Sequence, residues 1–144
     1  MRYFLDTEFN GWRGDLLSLA LICEDGRYIY TVMEPNLEKG TNTWVARNVV
    51  PHIYKGPFTV ANRDLDIAKQ IAKLLKNDPD PVIVVDWPDD IKHFCNVMVF
   101  GPGQHYNLDK YKFEFNRKYG HYESKVPHNA YYDALAIKET WTRS

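Results

Sequence analysis

Val82-Ile83-Val84-Val85-Asp86-Trp87-Pro88-Asp89-Asp90 decides the fold class. Four consecutive apolar, β-branched residues make a short strand of the kind buried on both faces of a sheet. Asp78-Pro79-Asp80-Pro81 ahead of it breaks whatever precedes. Behind it, Ile91, Phe94, Cys95 and Met98 fall at offsets 0, 3, 4 and 7. That is one helical face, so a helix runs from about Asp89 to Phe100 and stops at Gly101. A buried strand feeding a helix is the building unit of an α/β sheet, with this strand central and parallel. An Asp at a helix start commonly caps it, and Asp89 takes that role here.

Outward from this unit, three strands occupy the first third of the chain. Tyr3-Phe4-Leu5 leads to acids, Leu16 to Cys23 is a continuous apolar run, and Tyr28 to Met33 alternates. Glu24-Asp25-Gly26-Arg27 between the last two carries the Asp-Gly signal of a tight hairpin. A short helical patch spans Trp44 to Val50 and is stopped by Pro51. A longer helix runs from about Asp64 to Lys76, with Leu65, Ala68, Ala72 and Leu75 on one face and Asn62 or Asp64 as its cap. Residues 105–125 read as strand or helix. A last helix, from Asn129 to about Thr142, puts Ala130, Asp133, Ala134, Ile137 and Trp141 on one face. The expected fold is a single α/β domain over 1–144, with a mixed sheet whose three N-terminal strands are antiparallel and which helices flank.

Composition excludes more than it selects. A 144-residue chain that is 44% hydrophobic and 26% charged resembles an ordinary globular domain, not a disordered, collagen-like or coiled-coil protein. Its 18 basic and 19 acidic residues give a net charge of −1, too balanced to grip nucleic acid by bulk phosphate neutralisation. The N-terminal residues lack the apolar stretch of a signal peptide, and no apolar run approaches membrane-spanning length. Cys23 and Cys95 are too far apart for a Cys-x-x-Cys site and read as buried thiols. A cytoplasmic protein without membrane contact is expected.

Chemistry concentrates at three places. In Asp6-Thr7-Glu8 the two-residue period of a strand points both carboxylates to one face, and crowded acids invite a hard cation such as Mg²⁺ or Mn²⁺. Asp64-x-Asp66 and Asp78-x-Asp80 have the same spacing, so location at the end of a central strand is what singles out the first pair. The second place is Asp86 with Asp89-Asp90, where the buried strand passes into its helix. The third is His128-Asn129-Ala130-Tyr131-Tyr132-Asp133-Ala134. There Asp133 on an apolar stripe is a costly charge unless a cation meets it, and His128 stands at the mouth of the helix. His52, His93, His105 and His121 are read as structural.

In kind and in order, these residues resemble the DEDDh group of 3'-5' exonucleases, which have the ribonuclease H-like fold. The three signatures are Asp6-Thr7-Glu8, an Asp opening the helix after the buried strand, and His128 with Asp133 five residues on. Met1-Arg2-Tyr3-Phe4-Leu5-Asp6-Thr7-Glu8-Phe9, the Glu-Asp-Gly hairpin, and Trp44-Val45 ahead of Val49 and Pro51 look like a small bacterial or phage exoribonuclease branch. The chain departs from the group once. Asn is common four residues before the second-signature Asp and Phe directly before it, whereas Asp86 and Asp89 stand there. Asp90 and Asp86 are both candidates for that ligand, and the helical register of Ile91, Phe94 and Cys95 favours Asp90.

The resemblance implies phosphodiester hydrolysis with two Mg²⁺ or Mn²⁺ ions roughly 3.5 to 4 Å apart, releasing nucleoside 5'-monophosphates. Asp6, Glu8, Asp90 and Asp133 would hold the ions and His128 would be the general base. Thr7, Phe9, Asp86 and Trp87 would contact substrate. The implied partner is a single-stranded RNA or short oligonucleotide 3' end, with a DNA exonuclease or an inactive nucleic-acid-binding domain of the same fold as alternatives; homodimers are frequent among such small exonucleases. Setting four of the 19 acids aside as ligands leaves 15 against 18 basic residues, a mildly basic shell around an acidic centre. In residues 105–125, Tyr106, Tyr111, Phe113, Phe115, Tyr119 and Tyr122 alternate with Lys110, Lys112, Arg117, Lys118 and Lys125, which reads as a base-stacking surface or as core.

Overall fold

The apolar run Leu16–Cys23 is buried over its whole length because it is one of the two central strands of a covered sheet. The computed structural model describes residues 1–121 and 123–144, with His121 described in its backbone alone, so Tyr122 lies outside the described residues. In chain order the strands and helices are β1 (Arg2–Phe9), β2 (Leu16–Cys23), β3 (Tyr28–Met33), α1 (Glu34–Glu38), α2 (Thr43–Asn48), β4 (Thr59–Ala61), α3 (Asp64–Leu75), β5 (Val82–Val85), α4 (Pro88–Met98), β6 (Val99–Gly101), β7 (Gln104–His105), β8 (Lys112–Phe115) and α5 (Ala130–Arg143). Single 3₁₀ turns at Val50–His52 and Arg117–His121 follow α2 and β8.

Six strands form one mixed sheet in the order β4-β3-β2-β1-β5-β8. β1, β2 and β3 are antiparallel neighbours, while β5 runs parallel to both β1 and β8. Alternation along each strand sends side chains to two cores. Tyr3, Leu5, Leu19, Leu21, Ile83 and Val85 pack with Ile67, Ile71, Leu75, Phe94 and Met98 under α3 and α4. Phe4, Leu17, Ala20, Ile22 and Val84 pack with Val45, Ile53, Ala130, Ala134 and Ile137 under α2 and α5. Helices therefore cover both faces, and the C-terminal ends of β1 and β5 lie side by side beneath the starts of α4 and α5. No helix among the described residues is long and apolar enough to cross a membrane.

Several expectations are corrected. The helix expected to reach Phe100 ends at Met98, because Val99, Phe100 and Gly101 turn into a hairpin with Gln104 and His105. Val99 and Phe100 favour strand, and Gly101 precedes a proline, which disfavours helical backbone. Neither Asn62 nor Asp64 caps α3; Asp66 reaches back and accepts from the Asn62 N–H at 3.0 Å. Asp89 does not cap α4 either. Pro88 in the first turn has no N–H to cap, and Asp89 accepts instead from the Trp87 indole N–H at 3.1 Å. The buried face of α3 includes Ile67 and Ile71, with Leu65 only half-buried. Cys23 is buried as expected, while Cys95 is half-buried.

The segment 105–125 contains both alternatives, a strand at β8 and a 3₁₀ turn. Its rings are mostly packing groups: Tyr111 and Phe113 meet Phe94 with centroids 5.2 and 5.6 Å apart, and Tyr119 is buried. Lys110 and Lys112 both pair with Asp80, at 3.0 and 3.2 Å. The base-stacking reading of this segment is thus reduced to Phe115, the one of these described rings that is largely exposed.

Candidate active site

β1 carries Asp6 and Glu8 to the α5 side of the sheet, because alternation gives Phe4, Asp6 and Glu8 one face and Leu5 and Thr7 the other. Asp86 directly follows β5, Asp90 lies in the first turn of α4, and Asp133 in the first turn of α5. One carboxylate oxygen from each of Asp6, Glu8 and Asp133 lies within 4.8 Å of the others. Asp6, Asp86 and Asp90 form a second such group, with Asp6 shared. The structure therefore brings all four expected acids together and adds Asp86 to them. The decoy pairs at Asp64 and Asp78 lie elsewhere and form no such group among the described residues.

The electrostatics are those of buried, crowded carboxylates. Burial, and then the charges of Asp90, Glu8, Asp133 and Asp86, push the Asp6 carboxyl well above its ordinary range. Burial and Asp133 do the same to Glu8, while burial raises Asp86 and Asp133. Asp90 is also raised by burial, against the opposing hydrogen bonds from Thr7. Those bonds are specific: the Thr7 hydroxyl and amide both donate to Asp90 Oδ1, at 2.6 and 3.2 Å. Thr7 is only 4% exposed, and its hydroxyl and amide both serve to position Asp90. Asp6 Oδ2 is buried with no hydrogen-bond partner. An orphan carboxylate oxygen among hard oxygen donors fits a divalent cation, which favours the ionised form of these acids.

His128 stands one residue ahead of the α5 cap, in left-handed backbone with φ 68°. This turn aims its N–H at Asp133 Oδ2, 3.1 Å away. Its ring meets Trp44 edge-on with centroids 5.2 Å apart. It lines two hollows, one of about 300 Å³ shared with Asp6, Asp86 and Asp133, and one of about 440 Å³ shared with Glu8, Phe9 and Trp87. The imidazole is thus placed between the carboxylates and an aromatic cleft.

Asn129 fixes this geometry. It is fully buried and caps α5, its Oδ1 accepting from the Tyr132 N–H at 3.2 Å. Its Nδ2 donates to the carbonyls of His52 and Lys55, at 2.8 and 3.0 Å, which fastens the helix start to the 3₁₀ turn after α2. Asn129→Ala removes the cap and leaves two partly buried carbonyls without their donor, so a loss of roughly 2–4 kcal/mol is expected. A thermal melt should read this as a fall of about 10 °C; a change below about 2 °C would deny Asn129 this fastening role.

Two Mycobacterium tuberculosis proteins, from strains CDC 1551 / Oshkosh and H37Rv and each named a 3'-5' exoribonuclease, are 28% identical to this chain over 105 residues. The match covers 71% of this chain and 62% of each relative, so the chain spans about three-fifths of their length. No family model matches the sequence.

The remaining expected residues divide. Phe9 stacks on His93 with centroids 4.8 Å apart and offers its edge to the cleft; His93 is buried, as its structural reading requires. Trp87 is half-exposed in the same cleft, with the Arg117 guanidinium 5.9 Å from its ring centre. His52 and His105 take structural contacts, with Lys55 and with Tyr106 and Tyr111. The sequence reading passed over Trp12, which is 81% exposed at the cleft rim with Arg13 over its ring. Its signal was the Gly11-Trp12-Arg13-Gly14 turn directly after the first acidic pair. Trp44 enters the sequence reading as a helix residue and as part of the resemblance, and nothing in its spacing links it to His128.

Proposed function

We propose that this protein is a divalent-metal-dependent 3'-5' exoribonuclease of the DEDDh kind, with a ribonuclease H-like fold. The observation that carries the reading is the convergence of Asp6, Glu8, Asp90 and Asp133 around the unpartnered Asp6 Oδ2, with His128 at the rim. The strand order, three antiparallel strands extended by the parallel β5 and β8 beyond β1 and by β4, parallel to β3, at the other edge, supports the fold. The names of the two relatives support RNA as the substrate.

Mg²⁺ or Mn²⁺, when bound by these carboxylates, supplies an activated water and offsets charge on the leaving 3' oxygen. The protein's own groups do the rest. Thr7 holds Asp90 in place, and the His128 N–H bond holds Asp133. The His128 imidazole takes the proton from the attacking water. Phe9 and Trp87 flank the terminal nucleoside, whose base rests against their rings; such contacts contribute roughly 1–3 kcal/mol per base. Each cycle releases a nucleoside 5'-monophosphate and leaves a chain one residue shorter.

Purified protein is to be incubated with 5'-end-labelled RNA and with DNA of the same sequence, with Mn²⁺ or Mg²⁺ and then with excess chelator. The expected result is a ladder shortening from the 3' end, faster on RNA, that chelator slows by about 10³-fold or more. Degradation that persists in chelator, or that starts within the chain, would sink the proposal.

A further inference from the structure

We infer that Asp86 supplies a carboxylate oxygen to the second of two cation positions, so that five carboxylates hold the ions. This rests on the metal-dependent reading above and goes beyond its four acids. Two three-carboxylate groups share Asp6: Asp6 with Glu8 and Asp133, and Asp6 with Asp86 and Asp90. In the second group, Asp90 Oδ1 already accepts two hydrogen bonds from Thr7. Without Asp86 that position would rest on Asp6 and what remains of Asp90; with it, three carboxylates converge. The independent sign of a ligand is Asp6 Oδ2, buried and unpartnered, on the residue that both groups share.

The fold also holds Asp86 in place. The 3₁₀ turn Arg117–His121 closes over it so tightly that a Cβ on Gly120 would lie 2.6 Å from Asp86 Oδ2. Only glycine lets the backbone approach this closely while leaving the carboxylate where it is. Asp86 has no competing helix role, since Trp87 occupies the cap position of α4.

Charge gives the arrangement a consequence. Four carboxylates balance two divalent ions, and a fifth leaves the loaded site with one negative charge in excess. The second ion is then held by the protein before substrate arrives, whereas a neutral amide at position 86 would leave its binding dependent on the substrate phosphate.

The test is a nucleotide-free Mn²⁺ titration, followed by calorimetry and by the electron paramagnetic resonance of free Mn²⁺, on the wild type, Asp86→Asn, Gly120→Ala and Asp89→Asn. The wild type should bind two ions. Asp86→Asn should keep one near wild-type affinity and weaken the other by about tenfold or more. Gly120→Ala, which displaces the carboxylate without removing it, should weaken the same ion. Asp89→Asn removes a neighbouring charge that belongs to neither group and should leave both ions within about threefold. An Asp86→Asn isotherm that superimposes on the wild type overturns the inference, as does an equal loss in Asp89→Asn, which would make the effect one of bulk charge. A wild type that binds a single ion without nucleotide overturns it too. A wild type that binds no Mn²⁺ at all overturns the metal-dependent reading itself, so the two failures are distinct.

Discussion

Asp6→Asn is expected to lower metal-dependent RNA trimming by at least about 10³-fold and, in the same protein without metal, to raise the melting temperature. Asp6 is the one acid common to both carboxylate groups, so its loss weakens both cation positions together. A thousandfold fall corresponds to about 4 kcal/mol of lost transition-state stabilisation, within what charge stabilisation by bound cations supplies. The stability effect has the opposite sign. Burial and four neighbouring carboxylates raise the Asp6 pKa in the folded protein. A raised folded value means that the native state favours the protonated acid. Its favourable contribution is complete below the unfolded value of about 4 and is lost as pH rises through the folded value. Asn removes that penalty, and its amide can donate to the acids around it. The metal-free variant should therefore gain about 1–3 kcal/mol at pH 8, read as roughly 3–10 °C, and almost nothing at pH 4. Asp80, held below the usual range by hydrogen bonds from Lys110 and Lys112, loses stability as pH falls, but equally in both proteins. Mn²⁺ should reverse the order by stabilising the wild type more. Wild-type trimming by the variant, or a melting difference unchanged between pH 4 and pH 8, would remove Asp6 from the centre of the site.

What the sequence discloses here, and what it withholds, follows from where each signal is stored. β5 was legible because four β-branched residues in a row suit a strand covered on both faces, and it does pair in parallel with β1 and β8. Asp133 was legible because a carboxylate on an apolar stripe violates the pattern around it. The three residues of β4 were not, since Thr59 and Val60 are exposed and become a strand only by pairing with β3. The end of α4 was misread because Val99 and Phe100 extend the apolar pattern, although both are half-exposed in the hairpin. Asp86 stands between ligand and nucleotide contact on sequence alone, since its place depends on how near Gly120 approaches from a segment more than thirty residues away. Trp12 and Trp44 meet the site by tertiary proximity, which no local period records. The strand-borne acids could be paired from spacing alone; that Asp90 and Asp133 join them could be reached only by resemblance, and that Asp86 does so only from the structure.

His128→Asn is expected to reduce kcat by about 10² to 10⁴-fold with little change in metal binding or melting temperature. The choice of Asn follows from the backbone. His128 has φ 68°, a conformation that Asn tolerates better than other non-glycine residues, so the turn and its N–H bond to Asp133 should survive the substitution. Alanine there would add backbone strain and confuse a missing base with a displaced Asp133. The amide cannot take a proton from water, so what remains is the contribution of the carboxylate-held ions and substrate positioning. The pH profile separates this role from a structural one. With His128 as general base, the wild-type rate should fall as pH drops through the imidazole titration range, since only the neutral ring accepts a proton. The variant should lose that limb while keeping any dependence that comes from metal loading, which is held constant by saturating Mn²⁺. An imidazole acting only as a packing partner for Trp44 would give the variant the same acid limb as the wild type at a modestly lower rate. Parallel limbs in the two proteins would therefore reject His128 as the base, and loss of the limb together with intact Mn²⁺ binding would place the proton transfer on its ring.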